Sequence, residues 1–230
     1  MKNLFSFVLS GLIILSISCQ KNEPVPRLET GMLHLDIGMS ITVNEVNNRL
    51  KSIPVIEDFD VIIYRTDGTE VMSFENASAM PDTIELEIGN YYVEAESDNN
   101  RPAEFENPYY AGVSEVFTIN SNVSNDIQVI CELANTIVTV IWSDNVISSF
   151  SDYSATVSSA TDSLVYASNE TRKGYFQPQP LEIKVELEYQ NPDGSDTSKI
   201  ISGQIPDPLP NRHYEINVDA SIDNGLASFL

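Results

Sequence analysis

The stretch that decides the fold class is "IELEIGNYYVEAE", residues 84–96. On both sides of Gly89 and Asn90, apolar side chains alternate with acidic or polar ones. A period of two places one face of an extended strand on a core and the other face in water. Glycine and asparagine both tolerate the positive φ that a tight turn requires. The stretch therefore predicts a β-hairpin with one apolar face and one acidic face.

Similar alternation, interrupted by turn residues, recurs along the chain. It predicts a hairpin over residues 59–74 with its turn at 66–69, and another over residues 181–201 with its turn at 191–194. Residues 214–218 form the last clear strand pattern. Strands are therefore expected from one end of the folded region to the other.

Two segments in the middle of the chain have a different pattern. Residues 137–142 (IVTVIW) lack alternation, which predicts a central strand covered on both faces. One short helical turn is predicted from Asp144, with Val146, Ile147 and Phe150 directed toward the core. Helix is otherwise scarce.

Strands separated by short turns indicate an all-β fold of the sandwich type. A boundary near residues 133–135 divides the chain into two tandem β-sandwich domains, residues 31–133 and 134–230. A single sandwich with long insertions is the alternative.

The N-terminus has the charge order and length of a secretory signal peptide. Its apolar run, residues 4–17, is too short to span a bilayer, since a spanning helix needs about 20 apolar residues. The small residues 16–18 before Cys19 resemble a bacterial lipobox, in which the cysteine receives diacylglycerol. We therefore expect a signal peptide at 1–18, lipidation of Cys19 and a lipidated polar tether at 19–30. An ordinary signal peptide with a chance cysteine is the alternative.

The composition excludes some partners. The chain has 12 Lys and Arg against 34 Asp and Glu, a net charge of −22. Nucleic acid and anionic lipid attract basic surfaces, so the protein surface is expected to bind neither. Cys131 alternates in phase with Val129 and Leu133, which predicts a buried core thiol. With Cys19 lipidated, no intramolecular disulfide is expected.

The sequence contains no motif for catalysis. His34 and His213 are the only histidines, and no nucleophile elbow, phosphate loop or Cys/His metal spacing is present. Two oxygen-rich stretches, residues 191–196 and the pair Asp58 and Asp60, lack the spacing of a complete calcium loop. We predict no enzymatic activity, no cofactor and no metal site.

The most distinctive loop is predicted at residues 98–112, "DNNRPAEFENPYYAG". Its aromatic residues Phe105, Tyr109 and Tyr110 are candidates for contact with a ligand or a partner, because loops on rigid scaffolds often carry binding. The alternative is that these rings cap the end of the sandwich. Their exposure distinguishes the two hypotheses.

Several stretches together carry a resemblance to a known family. They are residues 31–37 (GMLHLDI), 57–71 (EDFDVIIYRTDGTEV), 80–97 (MPDTIELEIGNYYVEAES), 107–119 (NPYYAGVSEVFTI), 126–140 (DIQVICELANTIVTV) and 210–219 (PNRHYEINVD). In this order, after a lipobox, they resemble two-domain lipoproteins of Gram-negative anaerobes. That family is catalogued as a domain of unknown function and is similar to the fimbrillins, the subunits of surface pili.

The resemblance implies tandem sandwiches with transthyretin-like or immunoglobulin-like topology. It implies a lipoprotein of the outer membrane, exposed at the cell surface, with a structural or adhesive role among fimbrillin-like subunits. Fimbrillin assembly involves proteolysis after an arginine, and Arg49 is the candidate position here; an ordinary surface arginine is the alternative. The apolar C-terminal residues Leu226, Phe229 and Leu230 are a candidate donor strand. The alternative function is a glycan-binding accessory lipoprotein for nutrient capture.

Overall fold

The computed structural model describes residues 28–40, 54–99, 102–191, 193–223 and 226–229. The predicted lipidation residue Cys19 and the predicted processing residue Arg49 lie outside these ranges. The fold is all-β with sandwich-like sheets, as the alternation predicts. The described residues include no helix that is long and apolar enough to cross a membrane.

The first half of the chain forms one eight-stranded sheet that surrounds a core. Its strands, together with a short strand β6 that joins another sheet, are β1 (Thr30–Met39), β2 (Asp60–Arg65), β3 (Glu70–Phe74), β4 (Ile84–Glu87), β5 (Gly89–Glu96), β6 (Glu104–Phe105), β7 (Tyr110–Val113), β8 (Phe117–Ile119) and β9 (Ser124–Leu133). The order in the sheet is β3-β2-β5-β7-β9-β1-β4, and β8 pairs with β5. Two 3-10 turns, Ile56–Asp58 and Ala77–Ala79, lie between strands.

Strand β1 lies inside this sheet and contributes to its core. It pairs in parallel with β9, from Met32 opposite Ser124 to Met39 opposite Cys131, and antiparallel with β4 over its first four residues. Leu33 is fully buried and Ile37 nearly so. Strand β1 therefore fills the position between β4 and β9 and has a hydrogen-bonded neighbour on each side.

Strand β9 joins the two parts of the sheet. Its first eight residues pair with β1, and only Glu132 and Leu133 at its end pair with β7. Residues on both sides of this junction belong to the same buried cluster. Because β9 leaves one partner and meets another, the single sheet closes over one core as two layers.

The second half also packs sheets over one core, and here they are two separate four-stranded sheets. Its elements are β10 (Thr136–Trp142), α1 (Asp144–Ser149), β11 (Asp152–Ser158), β12 (Ser163–Ala167), β13 (Gly174–Phe176), β14 (Leu181–Gln190), β15 (Asp196–Ile205), β16 (Arg212–Val218), β17 (Ala220–Asp223) and β18 (Leu226–Phe229). The sheets are β16-β10-β13-β6 and β12-β11-β14-β15, and β17 with β18 forms a separate hairpin. Strand β10 is parallel to β16, just as β1 is parallel to β9. In each half, then, the first strand pairs in parallel with a strand from late in that half.

Two predicted hairpins are confirmed. β2 and β3 are joined by the turn at residues 66–69, where Gly68 has a φ of 86°. β14 and β15 are joined by the turn at residues 191–194, where Gly194 has a φ of 85°. Both glycines occupy the left-handed region that side chains disfavour.

The predicted hairpin at residues 84–96 is wrong in its pairing. The two strands exist as β4 and β5, but β4 pairs with β1, whereas β5 pairs with β2, β7 and β8. Alternation identifies a strand with one buried face and leaves its neighbours undetermined. The chain crosses here from one part of the sheet to another.

The helical turn and the central strand are each confirmed in part. α1 begins where predicted, with the Ser143 side chain accepting a hydrogen bond from the Val146 amide, and Val146 and Phe150 are buried. Ile147, predicted to face the core, is 54% exposed, so that part of the prediction is wrong. In β10 the first three residues are buried, but Ile141 is largely exposed.

Packing crosses the predicted boundary near residues 133–135. Ile137 and Tyr175 belong to the first buried cluster, whereas Ala103 and Phe105 pack against the second. Strand β6 pairs with β13 across the same boundary. The division into domains 31–133 and 134–230 stays a prediction, and the two halves share a packed junction.

Candidate functional site

The outer surface of β2, β5 and β7 carries an unusual set of side chains. Val61, Ile63, Tyr91 and Val93 face the core, so the residues that alternate with them face outward. We call this surface the acidic tyrosine face, and define it by Asp60, Ile62, Tyr64, Glu70, Tyr92, Glu94, Glu96, Tyr109 and Val113.

Strand register arranges this face in rows. Tyr64 lies opposite Tyr92 on one side and Glu70 on the other. In the next row Ile62 lies opposite Glu94, which in turn lies opposite Val113. In the third row Asp60 lies opposite Glu96.

The two tyrosines of the first row form a stacked pair. The ring centroids of Tyr64 and Tyr92 are 5.2 Å apart and the ring planes differ by 18°. Both side chains are half-buried, so part of each ring remains accessible. Cross-strand aromatic pairs stabilise a sheet, and here the pair also presents an aromatic surface to solvent.

The acids of the face lie close to one another, and no Lys or Arg of the described part of the chain forms an ion pair with them. Directly opposite like charges destabilise a sheet, and Asp60 opposite Glu96 is such a pair. Burial, followed by repulsion from Asp98, Glu96 and Glu75, raises the pKa of Asp60 above its usual value. Burial, followed by repulsion from Glu94 and Glu70, also raises the pKa of the Tyr64 hydroxyl.

Arg65, the basic residue nearest to this face in sequence, contacts residues outside the face. Arg65 is the only Lys or Arg among the described residues that precede residue 134. Its guanidinium donates to Glu87 at 2.6 Å and lies over the ring of the core residue Tyr91. It therefore turns away from the acidic tyrosine face.

Tyr109, predicted from its loop, belongs to this face. Its hydroxyl donates a hydrogen bond to the Glu96 carboxylate, and its backbone amide donates to the Asn135 side chain at 2.5 Å. Burial and the Glu96 contact raise the pKa of the Tyr109 hydroxyl well above its usual value. Beside it, Val113 is 63% exposed.

The other two predicted aromatics lie in packed surroundings. Tyr110 is only 4% exposed and belongs to the first core. Phe105 packs against the second core, with its ring 5.1 Å from Tyr166 in an edge-on contact and beneath the Arg172 guanidinium at 4.6 Å. The structure does not bring Phe105 and Tyr109 together into one exposed platform. Their placement favours the capping alternative, and contact with a ligand or a partner stays a prediction.

The stretch around these aromatics is held by its own polar contacts. Asn99 donates to the Asn107 side chain at 2.8 Å and to the Pro108 carbonyl at 2.7 Å. Ser97 donates to Asn99 and accepts from the Tyr110 amide. The stretch predicted as a long loop contains β6 and most of β7, and it is fixed to both halves.

The remaining residues singled out from the sequence lie apart from this face. His34 is exposed on the outer side of β1, where Nδ1 contacts the Asp82 carbonyl at 2.8 Å, and it borders an open groove of about 410 Å³. The His213 ring contacts the Thr139 hydroxyl at 2.8 Å. Cys131 is fully buried, as predicted, and burial raises the pKa of its thiol to about 11.

The oxygen-rich turn at residues 191–196 uses its polar groups internally, whereas Asp60 lies on the acidic tyrosine face. The Asp193 carboxylate accepts from both the amide and the hydroxyl of Ser195, and the Asn191 amide donates to Ser195 and Thr197. Within the described part of the chain, no three His, Cys, Asp or Glu side chains are grouped so that they could hold a metal ion.

Sequence reasoning missed Tyr64 and Tyr92 as site residues. The alternation around Tyr92 already placed it with the acids. What the sequence did not contain was the pairing of β2 with β5, which brings Tyr64 beside it.

The fold and the site define an all-β protein of tandem sandwich-like sheets with an acidic, tyrosine-bearing sheet face. The chain belongs to the family described as Domain of unknown function (DUF4493), whose model matches residues 29–228. This confirms the predicted membership of a family catalogued as a domain of unknown function. No curated protein matches the sequence.

Solved structures of Bacteroides and Porphyromonas proteins are similar to this chain. A candidate cell adhesion protein from Bacteroides eggerthii matches at 11% identity and a TM-score of 0.51, over 86% of this chain and 88% of that one. The fimbrial anchor protein Mfa2 from Porphyromonas gingivalis matches at 11% identity and 0.47, over 87% and 95%. Candidate polysaccharide-binding proteins from Bacteroides thetaiotaomicron match at 10% identity and 0.42, over 88% and 98%. At 11% identity, the match to the candidate cell adhesion protein from Bacteroides eggerthii shows that the two chains share a fold and shows nothing about function.

Proposed function

We propose that this protein is an outer-membrane lipoprotein, anchored through Cys19 and exposed at the cell surface, with a fimbrillin-like structural or adhesive role. The fold that it shares with a candidate cell adhesion protein supports this role. So does the sequence resemblance to fimbrillin-like lipoproteins. A permanent lipid anchor would hold the sheets outward in water.

The observation that carries the proposal is the placement of β1. This strand is the first in the described chain, and Arg49 follows it in sequence. Its core residues Leu33 and Ile37 pack beside Ile84 and Val129 on the neighbouring strands. Proteolysis after Arg49 would separate β1 from the rest of the chain.

Loss of β1 would leave an apolar groove between β4 and β9. The freed edges would present unpaired backbone groups, which favour addition of a strand from another chain. The C-terminal residues Leu226, Phe229 and Leu230 of a second copy are the proposed donor. In the protein as it stands, β18 (which includes Leu226 and Phe229) pairs with β17 in a hairpin outside the two main sheets of the second half.

Limited digestion with an arginine-specific protease, followed by size-exclusion chromatography, tests this mechanism. The Arg49→Lys variant is the matched control, because it keeps the charge and removes the cleavage position. Digested wild-type protein should form higher oligomers, whereas digested Arg49→Lys protein should stay monomeric. A cleaved wild-type protein that stays monomeric over days would contradict polymerisation.

The glycan-binding alternative has less support. It depended on an exposed platform of Phe105, Tyr109 and Tyr110, and Tyr110 is buried while Phe105 packs on the second core. Of the three, Tyr109 alone lies on the acidic tyrosine face. We therefore place the structural or adhesive role first.

A further inference from the structure

We propose that the acidic tyrosine face is a docking surface for a protein segment that carries arginine or lysine. This goes beyond the proposed role as a surface lipoprotein, and it does not depend on cleavage after Arg49 or on polymerisation.

The first reason is the uncompensated charge. Asp60 and Glu96 face each other across neighbouring strands, and Glu94 lies one row away. None of these three forms an ion pair with a described residue. Such an arrangement is unfavourable in the isolated protein, and a positively charged partner would relieve it.

The second half of the chain provides a contrast. On the outer side of β14, the Lys184 ammonium lies 2.8 Å from the Glu186 carboxylate, so opposite charges are already paired there. Both halves are acidic, but only the first concentrates its acids on a sheet face with no described base. Lack of a nearby base is common to the described first half, so what distinguishes the acidic tyrosine face is that its acids lie beside the stacked Tyr64 and Tyr92 rings.

The second reason is the stacked tyrosine pair. The face of an aromatic ring attracts cations, and the planar guanidinium of arginine also stacks on it. Tyr64 lies between Tyr92 and Glu70 in register, so a cation on its free side would meet both a ring and a carboxylate. Aromatic rings and carboxylates together are the groups that recognise an arginine or lysine side chain.

A neutral glycan fits this surface less well. Sugars stack on tyrosine, but a neutral sugar would cover Glu94 and Glu96 without compensating their charge, and burying an uncompensated carboxylate is costly. A cationic side chain compensates the charge in the same contact. The arrangement therefore favours a basic segment, and a glycan ligand becomes an outcome that the experiment can detect.

Fluorescence anisotropy with a labelled peptide of alternating arginine and glycine tests the proposal, at physiological ionic strength to screen general attraction. Two double variants change the face, Glu94→Gln with Glu96→Gln and Tyr64→Leu with Tyr92→Leu. The matched control is Glu182→Gln with Glu188→Gln, which removes the same charge from exposed positions on β14. Thermal unfolding of each variant checks that it is folded.

Each face variant should weaken peptide binding about tenfold, since cation–π and charge contacts of this kind each contribute severalfold. The β14 control should leave binding unchanged. Tyr64→Phe with Tyr92→Phe should also retain binding, because the ring faces remain.

Three results would overturn the proposal. The peptide could fail to bind the wild-type protein. The β14 control could weaken binding as much as the Glu94 and Glu96 change, which would indicate general charge attraction. A panel of neutral oligosaccharides could bind in a manner that requires Tyr64 and Tyr92 while the peptide does not, which would assign the face to glycans.

Discussion

Replacing Phe105 with alanine should destabilise the protein, because this ring connects a segment of the first half to the second core. Truncating a fully buried phenylalanine costs about 3–5 kcal/mol. Phe105 is half-buried, so about half of that cost in unfolding free energy is expected. Of this half, about 0.5–1.5 kcal/mol comes from the edge-on contact of the Phe105 ring with Tyr166. The expected loss is about 2 kcal/mol of unfolding free energy.

Urea denaturation of wild-type and Phe105→Ala protein measures this loss. The midpoint should fall while the slope stays unchanged, since the same surface is exposed on unfolding. Ile147→Ala is the control, because Ile147 is 54% exposed on α1 and its truncation should change the midpoint little. A Phe105→Ala midpoint equal to that of the wild type would refute the anchoring role and restore Phe105 as a candidate for ligand contact.

Three further predictions concern Cys19, Cys131 and Asp60. Cys19→Ala protein should lack the acyl groups found by mass spectrometry at the wild-type N-terminus, and should no longer partition into detergent; an acylated variant would contradict this. Because burial raises the pKa of the Cys131 thiol to about 11, the native protein at pH 7 should react with DTNB only as it unfolds, and rapid reaction would refute this. Burial, followed by repulsion from Asp98 and Glu96, raises the pKa of Asp60 above 3.8 in the folded protein. The contribution of Asp60 to folding stability is therefore fully present below pH 3.8 and is lost as pH rises through the folded-state pKa. Asp60→Asn should therefore raise the melting temperature at pH 7 but not at pH 3, and a lower melting temperature at pH 7 would contradict the like-charge argument.

Alternation in the sequence predicted most strands and the side of each strand that faces the core. It also placed Cys131 in the core. It could not predict partners, because a period of two reports burial of one face and nothing about neighbours. The strands β4 and β5, adjacent in sequence but paired elsewhere, show this limit.

The candidate site was predictable only in part, for the same reason. Tyr109 was found from its loop. The stacking of Tyr64 on Tyr92 depends on contacts between residues far apart in sequence. Phe105 was misleading because β6 is only two residues long and pairs with β13, in the other half of the chain.

Mild extraction of the protein from intact cell surfaces, followed by sizing of the extract, tests the proposed structural or adhesive role most directly. If the role is structural or adhesive, the acylated protein should travel with a surface polymer or with other sandwich-domain subunits. Recovery of the protein only as a free monomer, without acyl groups and inside the cell envelope, would contradict it.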